Sequence, residues 1–298
     1  MPTFIGSRGR IFHDSWQPDG AVRGAVVLLH GYGEHLGLYD ALARRLVADG
    51  LAVHAMDAVG HGRSDGERAL IPSWGEFADD ALGLVHLVRA QHRQVPVAVI
   101  GHSGGGLAAM LLALRAPEIL DALVLSGAPL LAQDWIDAEL ATGAAETEVG
   151  DPIEWMSTHP RYVHALLHDP LTWKGGFRRE SLLAVRAAWP EVAAGLAEAR
   201  PALPVLLVHG GADPIVPATD AHTVAETLPD ATLRVFPGDL HDVLNEHDRD
   251  AVHDVVAAFL GTVVAGRRTV PEPVQLGAAA LSGGGGPSGR TRGWGAGR

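Results

Sequence analysis

The chain has 298 residues, of which 47% are hydrophobic and 19% charged, a composition typical of a globular protein with a large core. Its formal net charge of -12 disfavours nucleic acid as a partner, because phosphate binding requires a positive surface. The absence of cysteine excludes disulfides, thiolate catalysis and cysteine-ligated zinc. No stretch has the length of a signal-peptide core or a membrane span, so we expect a cytoplasmic protein.

Short apolar runs alternate with longer segments of helical periodicity along most of the chain. The first two runs, at residues 4–5 and 10–16, predict an antiparallel pair of strands. Six further strands are predicted at 25–30, 51–56, 97–100, 123–126, 205–209 and 232–236. Helices are predicted among them at 38–48, 74–91, 104–115, 219–228 and 243–260. This alternation predicts an α/β fold with a mostly parallel eight-stranded sheet and helices on both faces.

The alternation stops between residues 128 and 200, where no strand is evident. The helical patches of this segment are predicted to be divided by four prolines, Pro152, Pro160, Pro170 and Pro190. We predict that residues 1–127 and 201–262 form the core and that residues 128–200 form a helical cap over one end of the sheet. The Gly- and Arg-rich segment 263–298 has a near-linker composition and is expected to be disordered.

The sequence Gly101-His102-Ser103-Gly104-Gly105 matches the G-x-S-x-G pattern of a nucleophilic serine. It follows a predicted strand and opens a predicted helix, which is the context that this pattern requires. A serine at so sharp a turn lies in strained backbone, and glycines two residues away on each side remove bulk that would clash. A glycine-rich turn with an incidental serine is the alternative, and the strand–turn–helix context favours the nucleophile.

A serine nucleophile needs a base and a group that orients the base. At a serine of this kind they follow in the order serine, acid, histidine, each at the carboxyl end of a strand. Asp213 follows the strand at 205–209 and His241 follows the strand at 232–236. Asp239 is the alternative acid, but Asp213 is favoured because it lies at a strand end with a proline turn behind it.

The negative charge that develops on the substrate oxygen requires N–H donors, which form an oxyanion hole. One donor is expected to be the backbone N–H of Gly104, the residue after the nucleophile. The second is expected in the loop after the strand at 25–30, and the N–H of Tyr32 is the candidate.

Four motifs together resemble the monoacylglycerol lipase/lysophospholipase group of the α/β-hydrolase superfamily; they lie at residues 30–35, 57–66, 101–105 and 241–246. Residues 169–171 are also similar to a cap segment of that group, and the resemblance spans residues 3–262. It implies an α/β-hydrolase fold, an acyl pocket covered by a lid, no metal and no organic cofactor. By this resemblance Ser103, Asp213 and His241 are the catalytic triad, and Tyr32 and Gly104 are the oxyanion donors.

Two positions depart from the family's pattern. Gly104 stands where the family often has Met, which we expect to remove bulk from the pocket wall. Leu38 stands where it often has an Arg that helps to hold a polar loop around the glycerol head. Because of the second departure, the identity of the alcohol portion of the substrate is not predicted.

Residues 57–66 have a second interpretation, in which Asp57 holds a tight loop by hydrogen bonds and takes no part in catalysis. This structural role is favoured. The histidines at positions 30, 35, 54 and 61 lack the spacing of metal ligands, so no metal site is predicted.

Four of the seven tryptophans, Trp135, Trp155, Trp173 and Trp189, fall in the predicted cap. They could line a lipid pocket or pack the cap onto the sheet, and the sequence favours neither. The predicted substrate contacts are Trp135, Trp173, Glu34 and His102.

The sequence therefore predicts a serine hydrolase of monoacylglycerol-like or lysophospholipid-like single-chain esters that acts through an acyl-enzyme on Ser103. An acyltransferase using the same acyl-enzyme and a general carboxylesterase for small non-lipid esters are the alternatives. We expect the cap to make transient contact with a membrane surface, and the sequence leaves the oligomeric state open.

Overall fold

The computed structural model describes residues 2–147 and 153–266. Its centre is an eight-stranded sheet in the order β1-β2-β4-β3-β5-β6-β7-β8. The first two strands pair antiparallel, β2 is antiparallel to β4, and the other neighbours are parallel. The strands are β1 (Thr3–Gly6), β2 (Gly9–Trp16), β3 (Gly24–Leu29), β4 (Leu51–Met56), β5 (Val97–His102), β6 (Ala122–Ser126), β7 (Val205–Gly210) and β8 (Ala231–Phe236). The predicted α/β-hydrolase fold is thereby confirmed.

Helices cover both faces of the sheet. Those assigned in the described ranges are α1 (Asp40–Ala48), α2 (Trp74–Gln91), α3 (Gly104–Arg115), α4 (Asp134–Thr142), α5 (Ile153–Met156), α6 (Pro160–His168), α7 (Arg179–Ala197), α8 (Ala218–Thr227) and α9 (Arg249–Gly266). Short 3₁₀ turns lie at Leu36–Tyr39, Pro117–Ile119 and Val243–Asn245.

Burial on both faces explains why the central strands read as continuous apolar runs. Successive strand side chains point to opposite faces. In β3, Val27 and Leu29 therefore face a core cluster built with α2, α3 and α7, whereas Val26 and Leu28 face a second cluster built with α1 and α9. All six residues of β3 are buried.

The segment from 128 to 200, hereafter the cap segment, contains α4 to α7. Its last helix is also part of the layer that covers the sheet. Leu182, Val185 and Val192 of α7 belong to the same core cluster as α3, and a Cβ on Gly195 would meet Leu114 of α3.

Two predictions of helix limits were wrong. Pro190 does not divide helical patches, because α7 runs through it at the loss of one backbone hydrogen bond. The predicted helix at 243–260 is interrupted at Glu246, whose backbone is extended and whose carboxylate accepts hydrogen bonds from Thr158 instead.

Residue 263, where the tail was predicted to begin, still belongs to a helix. Helix α9 continues to Gly266, since Val263 and Val264 still pack on the second core cluster. The rest of the predicted tail, and the predicted boundary at Pro152, lie outside the described residues. Within residues 2–147 and 153–266, no helix combines the length and the hydropathy needed to cross a bilayer.

Close contact between α3 and the sheet yields a stability prediction. A Cβ on Gly105 would lie 2.5 Å from the carbonyl oxygen of His30 and would also clash with that of Leu29, so Gly105→Ala should destabilise the protein by about 1–3 kcal/mol. A Cβ on Gly261 in α9 would meet no atom within 4 Å, so Gly261→Ala should stabilise the protein by about 0.5–1 kcal/mol. Urea unfolding measures both, and equal effects of the two variants would contradict the assigned packing.

Candidate active site

Ser103 lies at the sharp turn between β5 and α3, with φ 50° and ψ -121°. Few residues other than glycine adopt a positive φ, so this backbone is strained. A Cβ at Gly101 would clash with the backbone of Gly105, which explains why bulk is absent on both sides of the serine. The turn lifts the hydroxyl above the carboxyl edge of the sheet.

The structure brings together the three side chains predicted as a triad. His241 Nε2 lies 2.8 Å from Ser103 Oγ, and His241 Nδ1 lies 2.8 Å from Asp213 Oδ2. The side chains of His241 and Asp213 are 1% and 0% exposed, so water does not compete for the bond between them. The arrangement can move a proton from the hydroxyl to a base whose orientation is fixed.

Asp213 lies in a turn that favours its ionised form. Burial by itself would raise the pKa of this carboxyl, but the charge of His241 and hydrogen bonds from His209, His241 and the Val216 N–H hold it well below its usual value. The backbone N–H groups of Ile215 and Val216 donate to Oδ1 at 2.8 and 3.0 Å. The carboxylate therefore stays charged opposite the imidazole.

The loop that carries His241 is attached to the cap segment. The N–H groups of His241 and Asp242 donate to the carbonyl oxygens of Trp155 and Met156 at 3.2 and 2.8 Å. The Thr158 N–H and hydroxyl donate to the carboxylate of Glu246. This attachment could not be predicted from the sequence, since pairing across 88 residues leaves no local signal.

Gly127 is a second feature that sequence reasoning missed. It follows β6 with φ +54°, and a Cβ there would lie 3.2 Å from the ring of His241. Only glycine suits both the backbone and the ring. Its place directly after a buried strand was the available signal.

The expected oxyanion donors, the N–H groups of Tyr32 and Gly104, belong to residues that line the cavity at Ser103. Gly104 N–H is the first of α3, and the first N–H groups of a helix have no acceptor within it. Within the described ranges, the N–H of Tyr32 has no acceptor either. Both residues line the cavity that opens at Ser103, so both N–H groups are available to an oxyanion.

Two cavities share part of their lining, and the first of them opens at Ser103. The first extends from Ser103 between α2, α4 and α7, and its empty space, part of it open to solvent, is about 430 Å³. Besides Ser103 and Gly104 it is lined by Tyr32, Trp74, Pro129, Trp135, Ile136, Phe177, Ser181, Leu182, Val185, Ile215 and Val216. The second has about 520 Å³ of empty space, part of it open to solvent. It is lined by Glu34, Met156, Leu166 and Trp173 and shares Tyr32, Phe177 and Ile215 with the first. The predicted contacts Trp135 and Trp173 thus line one cavity each.

Gly104 does not widen the first cavity as we expected from the sequence. A Cβ at Gly104 would clash with the indole of Trp74, which comes from α2 and is 2% exposed. The bulk that the family often places after the nucleophile is therefore supplied here by a distant aromatic ring.

Glu34 connects the loop after β3, residues 30–35 (hereafter the oxyanion loop), to the cap segment. Its carboxylate accepts hydrogen bonds from the Gly31 N–H at 2.8 Å and from the hydroxyls of Tyr39 and Tyr162, the latter on α6. Burial, reinforced by the charge of Asp242, raises the pKa of Glu34 to about 7. Its carboxylate is occupied by these internal partners, although the residue borders the second cavity.

His102 lies behind the catalytic histidine. It is fully buried, its Nδ1 is 3.2 Å from Ser126 Oγ, and its ring centroid is 5.0 Å from that of His241. It lines neither of the two cavities. This placement suits a side chain that supports the His241 ring, and it offers no surface to a molecule in the cavities.

The remaining candidates have structural partners. Asp57 accepts the N–H groups of Leu36 and Arg63 at 2.9 and 2.8 Å, which ties its loop to the oxyanion loop. In the part of the chain that the structure describes, one set of possible metal ligands lies close together, Glu34, His102 and Asp242. Both carboxylates accept hydrogen bonds from protein groups, which offset the cost of burying them.

Known proteins are similar to this chain both in sequence and in fold. A family model described as serine aminopeptidase, S33, matches residues 20–248. A monoacylglycerol lipase of Mycolicibacterium smegmatis is 35% identical over 273 residues, 87% of this chain and 95% of that protein. A monoglyceride lipase of Rattus norvegicus is 28% identical over 91% of this chain and 94% of that protein. These matches confirm the resemblance inferred from the four motifs.

A solved structure with a similar fold carries the same kind of name as these sequence relatives. The crystal structure of Paleococcus ferrophilus monoacylglycerol lipase superposes with a TM-score of 0.70 at 25% identity, over 85% of this chain and 99% of that one.

Asp239, the alternative acid, lies outside the triad and yields a pH prediction. It is 3% exposed, and its Oδ2 has no hydrogen-bond partner among the described residues. Burial and the charges of Asp248 and Glu246 raise its pKa to about 6. The folded state therefore binds this proton more tightly than the unfolded chain, and stability is lost as the pH rises through 6.

Asp239→Asn removes the buried charge, so it should stabilise the protein at pH 7.5 by about 1–2 kcal/mol, and the gain should shrink toward pH 4. Urea unfolding at both pH values measures it. The exposed Asp230→Asn is the control and should change stability by less than about 0.5 kcal/mol at either pH. A gain at Asp239 that does not depend on pH would contradict the raised pKa.

Proposed function

This chain belongs to the family described as serine aminopeptidase, S33, and is a carboxylic ester hydrolase; we propose that it cleaves single-chain esters resembling monoacylglycerols or lysophospholipids through an acyl-enzyme on Ser103. One observation carries the proposal: Ser103, whose hydroxyl lies 2.8 Å from His241, lines an apolar cavity. The names of the two lipase relatives support the substrate class.

The proposed reaction follows from the positions of the side chains. His241 Nε2 accepts the hydroxyl proton as Ser103 Oγ attacks the ester carbonyl, and the charge of Asp213 stabilises the resulting imidazolium. The N–H groups of Tyr32 and Gly104 bind the oxyanion. When the intermediate collapses, His241 returns the proton to the leaving alcohol, and water then releases the acid by the same steps.

The two cavities suggest how such an ester is held. Except for two serines, the side chains of the first cavity are apolar or aromatic, as suits an acyl chain. Each buried methylene contributes about 0.8 kcal/mol, so this cavity favours a chain over a small acyl group. The second cavity, bordered by Glu34 and by three glycines, is placed to receive the alcohol portion.

Contact of the cap segment with a lipid surface is part of the proposal. Trp155 and Leu167 are 38% and 42% exposed, unlike most large apolar residues of the chain. Trp155 lies in α5 and Leu167 in α6, and each is adjacent in the chain to a residue that lines the second cavity. Insertion of these side chains into a lipid–water interface would bring the cavity entrance to its substrate.

Removal of the nucleophile is the first test. Ser103→Ala should lower kcat on a medium-chain 4-nitrophenyl ester and on a monoacylglycerol by about 10⁶-fold, to the background of the assay. A fluorophosphonate probe should label the wild-type chain at Ser103 and leave the variant unlabelled. Retained hydrolysis in the variant would refute the proposal, and product analysis with added alcohol separates hydrolysis from acyl transfer.

The assignment of the acyl cavity yields a second test. Val185 lines the first cavity from α7, so Val185→Phe should shorten it and lower kcat/KM for dodecanoyl esters by about tenfold or more relative to butyryl esters. Leu183 lies on the same helix and is 36% exposed, so Leu183→Phe is the matched control. Equal chain-length profiles for both variants and the wild type would place the acyl chain elsewhere.

A further inference from the structure

A second histidine contacts the acid of the triad. His209, the fifth residue of β7, is 2% exposed. Its Nε2 lies 2.9 Å from the carbonyl oxygen of Val216 and 3.2 Å from Asp213 Oδ2. Both neighbours are acceptors, so Nε2 carries a hydrogen; it donates to the carbonyl oxygen of Val216, and Asp213 Oδ2 lies within reach of the same nitrogen.

This contact completes the set of donors around Asp213. Oδ2 accepts from His241 and lies 3.2 Å from His209 Nε2, and Oδ1 accepts from the N–H groups of Ile215 and Val216. A carboxylate has about four acceptor sites, and here each of them has a donor nitrogen within 3.2 Å. The carboxylate cannot rotate without breaking at least one of these bonds.

His209 also closes the turn in which Asp213 lies. Val216 donates its N–H to Asp213 and accepts from His209 through its carbonyl, so one residue joins the acid to the second histidine. The carbonyl of Ile215 accepts the indole N–H of Trp135 at 3.0 Å. Since Ile215 and Val216 also line the first cavity, the turn is part of both the triad and the acyl site.

We propose that His209 is a positioning residue, which orients Asp213 toward His241 by donating its Nε2–H to Oδ2. The inference rests on the proposed function, because His209 acts through the triad and touches no reacting atom. His209 donates this hydrogen bond without transferring the proton, so its own charge stays constant through the reaction. The imidazole of His241 thereby meets the acid in one orientation in every catalytic cycle.

Three variants separate the donor from the volume of the ring. His209→Leu replaces the ring with an apolar side chain that has no donor. His209→Asn has an amide donor on a side chain that is one methylene too short to reach Asp213 Oδ2. His209→Gln places an amide N–H close to the position of Nε2. The matched control is His253→Leu, since His253 is also 2% exposed and its Nε2 donates to a backbone carbonyl, that of Leu244, at 2.8 Å.

The Leu and Asn variants lose a hydrogen bond to a charged group. We therefore expect them to lower kcat on 4-nitrophenyl butyrate by about 10- to 100-fold, with little change in KM. The Gln variant should retain kcat within about threefold, and so should His253→Leu despite a comparable loss of Tm. The proton of the Asp213–His241 bond should move upfield in the ¹H NMR spectrum of the Leu and Asn variants and stay in place in the Gln variant.

Three results would overturn the inference. They are a folded Leu variant with wild-type kcat, a folded Gln variant that loses more than about tenfold, and a control that loses as much kcat as the Leu variant. If the Leu and Asn variants do not fold, the kcat of the folded Gln variant is the test, and a loss of more than about tenfold overturns the inference. Failure of the proposed function is distinguishable, since it appears as activity that survives Ser103→Ala in the otherwise unchanged chain.

Discussion

The strained turn at Ser103 is the constraint on which the rest of this molecule depends. A positive φ at a residue other than glycine is unfavourable, and here it persists because β5 is held between two parallel neighbours and α3 packs against the sheet. That packing requires glycines at 101 and 105, where any side chain would meet backbone. The strain keeps the hydroxyl outside the sheet, within 2.8 Å of His241. The energy that holds the nucleophile in position thus comes from the core.

The groups around the hydroxyl are held by two different kinds of support. Asp213 is held locally, by donors from its own turn and from His209. His241 is held at long range, because its N–H donates to Trp155 in the cap segment, and Glu34 similarly joins the oxyanion loop to Tyr162. A displacement of α5 and α6 would therefore disturb the base and the oxyanion loop together, which couples access to the cavities with the geometry of the reaction.

Several assignments could be made from the sequence because their signals are local. The alternation of buried strands and helices predicted the eight-stranded sheet, and G-x-S-x-G in a strand–turn–helix context predicted the position of Ser103. Asp213 and His241 were selected by their order in the chain, by strand ends and by the proline turn after Asp213, without any knowledge of which strands are neighbours. The limits of α7 and α9 were mispredicted because tertiary contacts decided them: α7 tolerates Pro190 while it packs on α3, and Glu246 leaves the helical pattern to bind Thr158.

What the sequence by itself determined is the order of the elements and the chemistry of the groups at the strand ends, since periodicity and turn residues act over a few positions. Only the tertiary structure decided what surrounds those groups. Trp74 fills the space beside Gly104, His102 lies behind His241 and outside the cavities, and His209 turns toward Asp213. Each of these contacts depends on how elements far apart in the chain pack against one another, and packing of that kind leaves no pattern along the sequence.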